Sequence, residues 1–388
     1  MIRTVVAHTE ISDAAAAGSE LGSKIATALG DAPPDVVILF AAPSFAFPEL
    51  LQALTDSCGP KLLVGCSSAG EFTNGKALNS AACAVAITSG DMAFAAGVAE
   101  HVTEDRRLSA TRLVSSFEGM QSKEYEHRSA LILADVLAGY TEDLLEHLTL
   151  LTGGRYQLFG GGAGDEERFQ RTHVFFGTRV LTDAAVALEI LSKKPVGIGV
   201  NHGWRPAGPL MRVTEADGMR LVSLNSIPAL EVLEEHAEMT GQRLDRNDPV
   251  PFFLHNVFGI DTGGGHKLRV PLGIDDTGAI LCAAEIPEGS LVCIMQTDKA
   301  SAADAASAAA STAMSRLQGH PPSVALFFDC AATRLRMGRD FGIELDAVTS
   351  ALQPASYAGC NTYGQIARVA GQFSGFHNCT AVVCVLPS

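Results

Sequence analysis

At 388 residues, with 47% hydrophobic but only 6% aromatic side chains, the chain has a large aliphatic core to bury, which excludes a disordered protein and suggests two domains or one large α/β assembly. Its 43 acidic residues against 28 basic ones give a formal net charge of −15. That surface repels a phosphate backbone, and no cluster of Lys and Arg interleaved with aromatics offsets it, so nucleic acid is excluded as a partner.

The N-terminal run Met1-Ile2-Arg3-Thr4-Val5-Val6-Ala7-His8 is too short for a signal segment, and no stretch reaches the length of a membrane span. The expected address is cytoplasmic, with no membrane partner. Nine cysteines are scattered through apolar runs without a C-x-x-C pair, which suits small buried side chains in a reducing compartment rather than a zinc site.

In chain order, Asp13 to Leu29 reads as an alanine-rich helix with Ser12 or Asp13 as N-cap and Gly30 past its end. A strand through Val37-Ile38-Leu39-Phe40 follows, then a helix opened by Pro48 and stopped at Gly59-Pro60, then Leu62-Leu63-Val64. Ala81 to Thr88 and Met92 to Val98 read as strands joined at Ser89-Gly90-Asp91. A helix is expected over about Leu108 to Phe117. A second unit then has a strand at Ala130–Ala134, a loop at Asp135–Gly139, and a helix at Glu142–Leu151. Thr172–Phe176, Ala184–Ile190 and Pro195–Val200 are strand-like, and Pro228–Glu238 is helical. Val270–Ile274 and Ile280–Ala284 flank Asp275-Asp276-Thr277-Gly278, which is a hairpin signal, and Leu291–Gln296 adds a strand. Ala300–Leu317 reads as a helix, with a low-complexity linker as the competing view. A third unit has a strand at Val324–Phe328, a loop at Asp329–Thr333, a helix at about Glu344–Leu352, and a last strand from Thr380 to Leu386.

The units share a tight glycine turn. Val64-Gly65-Cys66-Ser67-Ser68-Ala69-Gly70-Glu71-Phe72 is echoed by Ala358-Gly359-Cys360-Asn361-Thr362-Tyr363-Gly364-Gln365-Ile366. A looser relative is Leu158-Phe159-Gly160-Gly161-Gly162-Ala163-Gly164-Asp165. Ile38, Ile132 and Leu326 precede Gly65, Gly160 and Gly359 by 27, 28 and 33 residues. Such self-similarity marks a repeated strand–helix–strand unit, and the three turns are expected either to converge on one pocket or to serve only a duplicated fold. The fold class is therefore α/β: a two-domain assembly of repeated units with mixed sheets and an antiparallel hairpin region around 268–296. The boundary is expected near Asp217-Gly218, giving domains 1–217 and 218–388.

In combination these landmarks resemble the FIST family, made of a FIST N-terminal and a FIST C-terminal domain. The matching residues are Val64 to Glu71, Gly160 to Asp165, His202-Gly203-Trp204-Arg205-Pro206, Thr214 to Gly218, and Ile227-Pro228-Ala229-Leu230. Asn361 to Ile366 and Phe376-His377-Asn378-Cys379-Thr380 complete the set, which spans nearly the whole chain. The family usually carries Glu where this chain has Gln365. The resemblance implies a sensory module that binds a small ligand, an amino acid or similar molecule, without catalysis. It also implies that the output passes to a separate signalling protein, such as a histidine kinase or a cyclic-di-GMP enzyme. One branch of the family binds haem and senses nitric oxide; there the matching position makes His202 the first ligand candidate. No other cofactor or metal is expected.

The ligand-binding candidates are Cys66, Ser67, Ser68 and Glu71 from the first turn, Gly161, Gly162 and Asp165 from the second, and Asn361, Thr362, Tyr363 and Gln365 from the third. Asp135 and Asp329 follow apolar strands, where open α/β sheets place ligand contacts, though each could instead cap the next helix. Trp204 offers an apolar wall or a core plug. A cysteine-dependent enzyme is the remaining alternative. It requires Cys66 or Cys360 to be an activated nucleophile, yet neither has a histidine near it in sequence. Gly65–Ala69 is not a G-x-S-x-G elbow, and Gly263-Gly264-Gly265-His266-Lys267 lacks the spacing of a phosphate loop.

Overall fold

A computed structural model describes residues 2–30, 32–369 and 372–388, and three parts of the chain repeat one plan. The first contains β1 (Ile2–Thr9), α1 (Ala14–Leu29), β2 (Val36–Ala41), α2 (Phe47–Cys58) and β3 (Leu62–Ser67). A short hairpin, β4 (Glu71–Thr73) and β5 (Lys76–Ala77), and a closing strand β6 (Ala82–Ser89) follow. The Asp13 carboxylate accepts the Ala16 N–H at 2.8 Å and so starts α1. Gly30 and Gly59, both left-handed, end α1 and α2 where a side chain would be strained.

The second part has β7 (Met92–Glu100), α3 (Arg106–Val114), β8 (His127–Ala134), α4 (Thr141–Leu151) and β9 (Gln157–Gly162). Its hairpin is β10 (Val174–Phe176) with β11 (Arg179–Leu181), and β12 (Ala184–Ser192) closes it. The third begins with β13 (Gly197–Asn201) and is interrupted by an insertion. Inside the insertion lie β14 (Arg205–Pro206), β15 (Met211–Asp217), β16 (Arg220–Leu224), β17 (Ile227–Pro228), α5 (Ala229–Thr240) and α6 (Val250–Phe253). They are followed by β18 (Val257–Asp261), β19 (His266–Arg269), β20 (Pro271–Ile274), β21 (Ile280–Cys282) and β22 (Leu291–Gln296). These strands pair among themselves around their own core of Val213, Leu221, Leu233, Phe253, Phe258 and Ile280. The third part resumes with α7 (Lys299–Ser315), β23 (Pro322–Cys330), α8 (Ala331–Met337), α9 (Phe341–Leu352) and β24 (Ser356–Thr362). The hairpin β25 (Gln365–Val369) and β26 (Gln372–His377) and the closing strand β27 (Ala381–Pro387) end it.

The three sheets have one strand order: β1-β6-β2-β3, β7-β12-β8-β9 and β13-β27-β23-β24. Each is completed by a hairpin from another part. The β10–β11 hairpin joins β3, β25–β26 joins β9, and β4–β5 joins β24, so the parts exchange hairpins in a cycle. Alternation along each strand sends one face inward and one outward. The inward faces share a single core, in which Phe40 and Phe159 approach Phe328 with ring centroids at 5.6 and 6.3 Å. The outward faces are covered by α1 and α2, by α3 and α4, and by α7 and α9.

The repeated units, mixed sheets and hairpin at 275–279 expected from the sequence are present. Ala300–Leu317 is a helix, not a linker, because its alanines face the core along most of its length. β6 and β7, though joined by a short turn, belong to different sheets. The expected loop Asp329–Thr333 is the end of β23 followed directly by α8, which the helix-forming run Ala331-Ala332-Thr333-Arg334-Leu335-Arg336-Met337 supports. Asp217-Gly218 lies at the turn of the β15–β16 hairpin.

Gly65, Gly160 and Gly359 occupy matching positions opposite Leu39, Ile132 and Phe327 on the parallel neighbour strand. A Cβ there would lie 2.1, 2.0 and 1.9 Å from the carbonyl oxygens of those residues. Alanine at any of the three is predicted to cost about 3 kcal/mol, measured as a fall in the urea midpoint. Gly90→Ala, where a Cβ meets open space, should stay within about 0.5 kcal/mol of the parent. Equal midpoints for Gly160→Ala and Gly90→Ala would show that the strands do not approach so closely.

Candidate functional site

The three glycine turns meet. Ala69 N–H donates to the Asn361 carbonyl at 2.9 Å, Gly164 N–H to Ser67 at 2.9 Å, and Tyr363 N–H to Gly162 at 3.2 Å. Strand register makes the three donors equivalent and the three acceptors equivalent, so the bonds form a closed ring around a pseudo-threefold axis. The turns close on one another: a Cβ at Gly164 would lie 2.6 Å from the Ala69 nitrogen, and one at Gly161 2.9 Å from the Thr362 side chain.

Two polar staples flank this ring. The Ser68 hydroxyl donates to the Glu71 carboxylate, whose other oxygen accepts the Ala81 N–H at 3.3 Å. In the third unit the Gln365 amide donates to the Thr362 hydroxyl at 2.9 Å and accepts the Thr380 N–H at 3.1 Å, while Thr362 donates to the Asp329 carbonyl. Gln365 thus stands where the first unit has Glu71, and both are buried with their polar atoms engaged inside the protein. Burial pushes the Glu71 carboxyl up to about 7, against the pull of Ser68 and Ala81.

Ser67 accepts the His173 N–H at 2.9 Å. Asp165 accepts the N–H groups of Phe169, Gln170 and Arg171 at 2.8 to 2.9 Å, together with the Tyr363 hydroxyl, and folds a loop over the ring. Burial raises its pKa, but these donors outweigh that and leave it below the usual carboxylate range. Tyr363 stacks on Phe169 at 4.2 Å. Gly162 lets Val136 approach, since a Cβ there would lie 2.5 Å from it. Cys66 and Cys360 point into the shared core, fully buried, and burial holds the Cys360 thiol well above its ordinary value. Neither thiol reaches solvent, which a nucleophile must.

Register separates the two aspartates. Asn361 pairs with Asp329 but Gly162 pairs with Ala134, so Asp135 sits one residue further along its strand than Asp329 does. Asp135 caps the turn after β8 through Leu137 N–H and holds Thr172 Oγ1 at 2.6 Å and Asp183 N–H at 2.7 Å. Asp329 faces the helical side of its sheet, accepts Asn361 Nδ2 at 3.2 Å, and opens into a crevice with His202, Trp204, Thr333, Arg336, Glu344 and Cys379. The free space there is about 10 Å³, on the order of one water.

His202 donates from Nε2 to the His266 carbonyl at 3.1 Å and accepts the Trp204 N–H on Nδ1 at 3.3 Å, and burial lowers its pKa. With both ring nitrogens engaged and so little space beside them, these residues do not fit a haem in this arrangement. Trp204 plugs the boundary with the insertion among Val257, Leu268 and Met295, with the Arg336 guanidinium 5.5 Å from its ring centre. Burial raises Asp329 well above its ordinary value and takes Glu344 up to about 8. Glu344 Oε2 and Arg336 Nε are buried and have no partner among the described residues. Sequence reading missed Glu344, although a signal existed: it sits within the buried stripe Phe341, Leu345, Val348, Leu352 of α9.

A third feature is a groove of ≈ 390 Å³ between α4 and the β25–β26 hairpin. Leu145, Leu158, Ile366 and Ala367 supply apolar surface; Glu142, Glu146, Lys267 and Arg368 supply charge. Glu142 ties the walls together, accepting Lys267 Nζ and the Phe376 N–H, each at 2.9 Å, with the Arg269 guanidinium 3.7 Å away. Arg368 is held by the carbonyls of Gly154 at 3.2 Å and Tyr156 at 3.0 Å. None of the residues proposed from the sequence lines this groove. Glu142 and Glu146 share α4, but Lys267 and Arg368 each lie more than a hundred residues further along the chain, and no local motif marks the set.

The Glu71 carboxyl yields a pH prediction. Its folded-state pKa lies above the unfolded value, so the native protein loses stability as pH rises from about 4.5 to about 7. Glu71→Gln, which copies the Gln365 arrangement, removes this dependence. The variant should gain on the parent by on the order of 3 kcal/mol between pH 4.5 and pH 8, read from urea midpoints. A difference that does not vary with pH would mean that the Glu71 carboxyl ionises at the same pH in the folded protein as in the unfolded chain.

The FIST N domain matches residues 35–227 and the FIST C domain residues 229–368. An uncharacterized protein of Mycobacterium tuberculosis is 28% identical over 344 residues, covering 86% of this chain and 85% of its own length. An uncharacterized protein of Methanocaldococcus jannaschii is 24% identical over 150 residues, covering 36% of this chain and 29% of its own. Among solved structures, a cyanuric acid hydrolase from A. caulinodans aligns over 100% of this chain and 99% of its own, at 9% identity and a TM-score of 0.34. Among the described residues no helix is long and apolar enough to cross a membrane. The chain belongs to the FIST family, whose domains are sensory domains of signal transduction proteins.

Proposed function

We propose that this FIST protein senses a small zwitterionic molecule, of amino-acid size, in the groove between α4 and the β25–β26 hairpin. The observation that carries the reading is the groove itself. Its ≈ 390 Å³ falls within the range of small-molecule sites, and its charges of both signs stand over an apolar floor. Lys267 and Arg368 suit a carboxylate, Glu146 suits an ammonium group, and Leu145, Leu158 and Ile366 suit an aliphatic or aromatic side chain.

The position of the groove gives a mechanism for signalling. Its walls come from α4 and β9 of the second unit, from the exchanged hairpin of the third, and from Lys267 on β19 of the insertion. A ligand touching all three binds best in one relative arrangement of them and shifts the population toward it. That arrangement is then read by a separate signalling protein, such as a histidine kinase or a cyclic-di-GMP enzyme, and the chain itself carries out no reaction on the ligand.

A thermal-shift screen over the twenty amino acids, followed by calorimetric titration, tests this. At least one should raise the melting temperature of the parent. Lys267→Gln and Arg368→Gln should each weaken its binding about tenfold, about 1.4 kcal/mol, and Thr277→Val, on the distant β20–β21 turn, should leave it unchanged. The proposal fails if no amino acid raises the melting temperature, or if binding survives both charge removals at full strength.

A further inference from the structure

We infer that Lys267, Arg269 and the Phe376 N–H form a carboxylate site that Glu142 fills in the free protein, and that an incoming carboxylate enters it by displacing Glu142. The site lies in the groove already assigned to an amino acid and rests on that reading for the identity of its ligand. Phe376 is on β26, the edge strand of its sheet, so no further strand meets its outward backbone groups. Side chains take them instead. The N–H donates to Glu142 Oε2 at 2.9 Å, and the carbonyl accepts Arg269 Nη1 at 3.0 Å. Lys267 Nζ, from β19, donates to Glu142 Oε1 at 2.9 Å, and Arg269 Nη2 stands 3.7 Å from Oε2. Gly375, at a φ of 108°, makes room for this carboxylate, because a Cβ there would collide with it. An ammonium, a guanidinium and a backbone N–H converging on two oxygens are a donor set that suits any carboxylate.

The donor count makes entry of a second carboxylate an exchange. The Phe376 N–H has one proton, which Glu142 accepts, so a ligand oxygen reaches it only when Glu142 leaves. Arg269 is fixed: its side chain is 3% exposed and bonds the carbonyls of Leu268, Glu285 and Phe376. Glu142 is 24% exposed, lines the groove and hangs on a flexible side chain, so it is the member of the set that moves. It stands in the first turn of α4, where the helix N-terminus favours a carboxylate whether or not it touches Lys267. Glu142 thus stands in for the ligand's carboxylate. It joins α4 to the insertion through Lys267 and to the hairpin through Phe376. Its displacement replaces an internal tie with one that runs through the ligand.

The other charged groups of the groove fit this exchange. Arg368, held by the carbonyls of Gly154 and Tyr156, adds a fixed positive charge that draws an anion in. Glu146 lies one turn along α4 from Glu142 on the same wall and is placed for the ammonium end of an amino acid. The carboxylate position itself does not require that ammonium. Acetate is therefore a probe of it that does not depend on which amino acid the groove selects.

Chemical rescue in the full chain tests this. Glu142→Ala vacates the position and should melt below the parent. Sodium acetate should restore part of the loss, compared with sodium chloride at the same ionic strength, whereas acetamide, of similar shape but uncharged, should not. Adding Lys267→Gln to Glu142→Ala should abolish the rescue, and the parent should gain less from acetate than Glu142→Ala does. Glu142→Gln keeps the size of the side chain and weakens the competitor. It should bind the amino acid found in the screen about fivefold more tightly than the parent, the worth of one partly exposed ion pair. If Glu142→Ala does not fold, Glu142→Gln carries the acetate measurement as well. Acetate without effect on either variant, acetamide as effective as acetate, or amino-acid binding unchanged or weaker in Glu142→Gln would each overturn the assignment. If acetate rescues but no amino acid binds the parent or either variant, the carboxylate site stands and the amino-acid reading of the groove fails.

Discussion

Three backbone hydrogen bonds, from Ala69 to Asn361, Gly164 to Ser67 and Tyr363 to Gly162, are the constraint the rest of the fold satisfies. A buried N–H or carbonyl without a partner is costly, so three turns meeting on an axis must satisfy one another. A ring of equivalent bonds does this without any side chain crossing the axis. Within each unit, Gly65, Gly160 and Gly359 face a carbonyl oxygen of the neighbouring parallel strand, so the strand that leads to each turn lies in close backbone contact with its partner. After each turn the chain is already directed toward a neighbouring unit. The hairpin that follows joins the neighbour's sheet, and the exchange of hairpins is a consequence of the ring.

Symmetry also explains where the molecule is open. Each exchanged hairpin runs past the second helix of the unit it joins. At α9 the β4–β5 turn packs closely, with a Cβ at Gly75 only 2.9 Å from the Thr349 hydroxyl. At α2 the β11 residue Val180 reaches the apolar layer beneath the helices. At α4 the corresponding space is the groove, and Glu142 bridges it by reaching Lys267 and the Phe376 N–H. One of three equivalent positions is thus left unfilled, and the insertion supplies a charge to its wall. A site made by incomplete packing of a repeated element can differ between relatives without disturbing the axis.

Much of the fold was legible because it is written in local chemistry. Asp13, Gly30 and Gly59 mark helix ends, Asp275 to Gly278 marks a hairpin, and the repeated Gly-Cys turns mark the units. What was not legible depends on partners distant in sequence. Nothing local to Glu71 says that it will pair with Cys360, or that β6 and β7, separated by a short turn, will lie in different sheets. Aligning Asp135 with Asp329 by eye fails for a similar reason. Only the strand pairing shows the offset of one residue that separates them. The groove was invisible because Glu142, Lys267 and Arg368 form no motif until the chain is folded.

The polar residues of the turns carry a lesson about reading sites from repeats. Ser68 with Glu71, and Thr362 with Gln365, look like a ligand-binding set because polar side chains beside glycines resemble a cradle. In the folded chain each pair bonds internally and fastens the closing strand to the turn, through Ala81 in one unit and Thr380 in the other. A glutamine can replace the glutamate there because the task is to satisfy two hydrogen bonds, and an amide does so without the burden of a buried carboxyl. Repetition therefore marks what holds the axis together. Residues that break the repeat, such as Lys267 in the insertion, are the ones free of that duty. Chemistry particular to this chain is best sought among them.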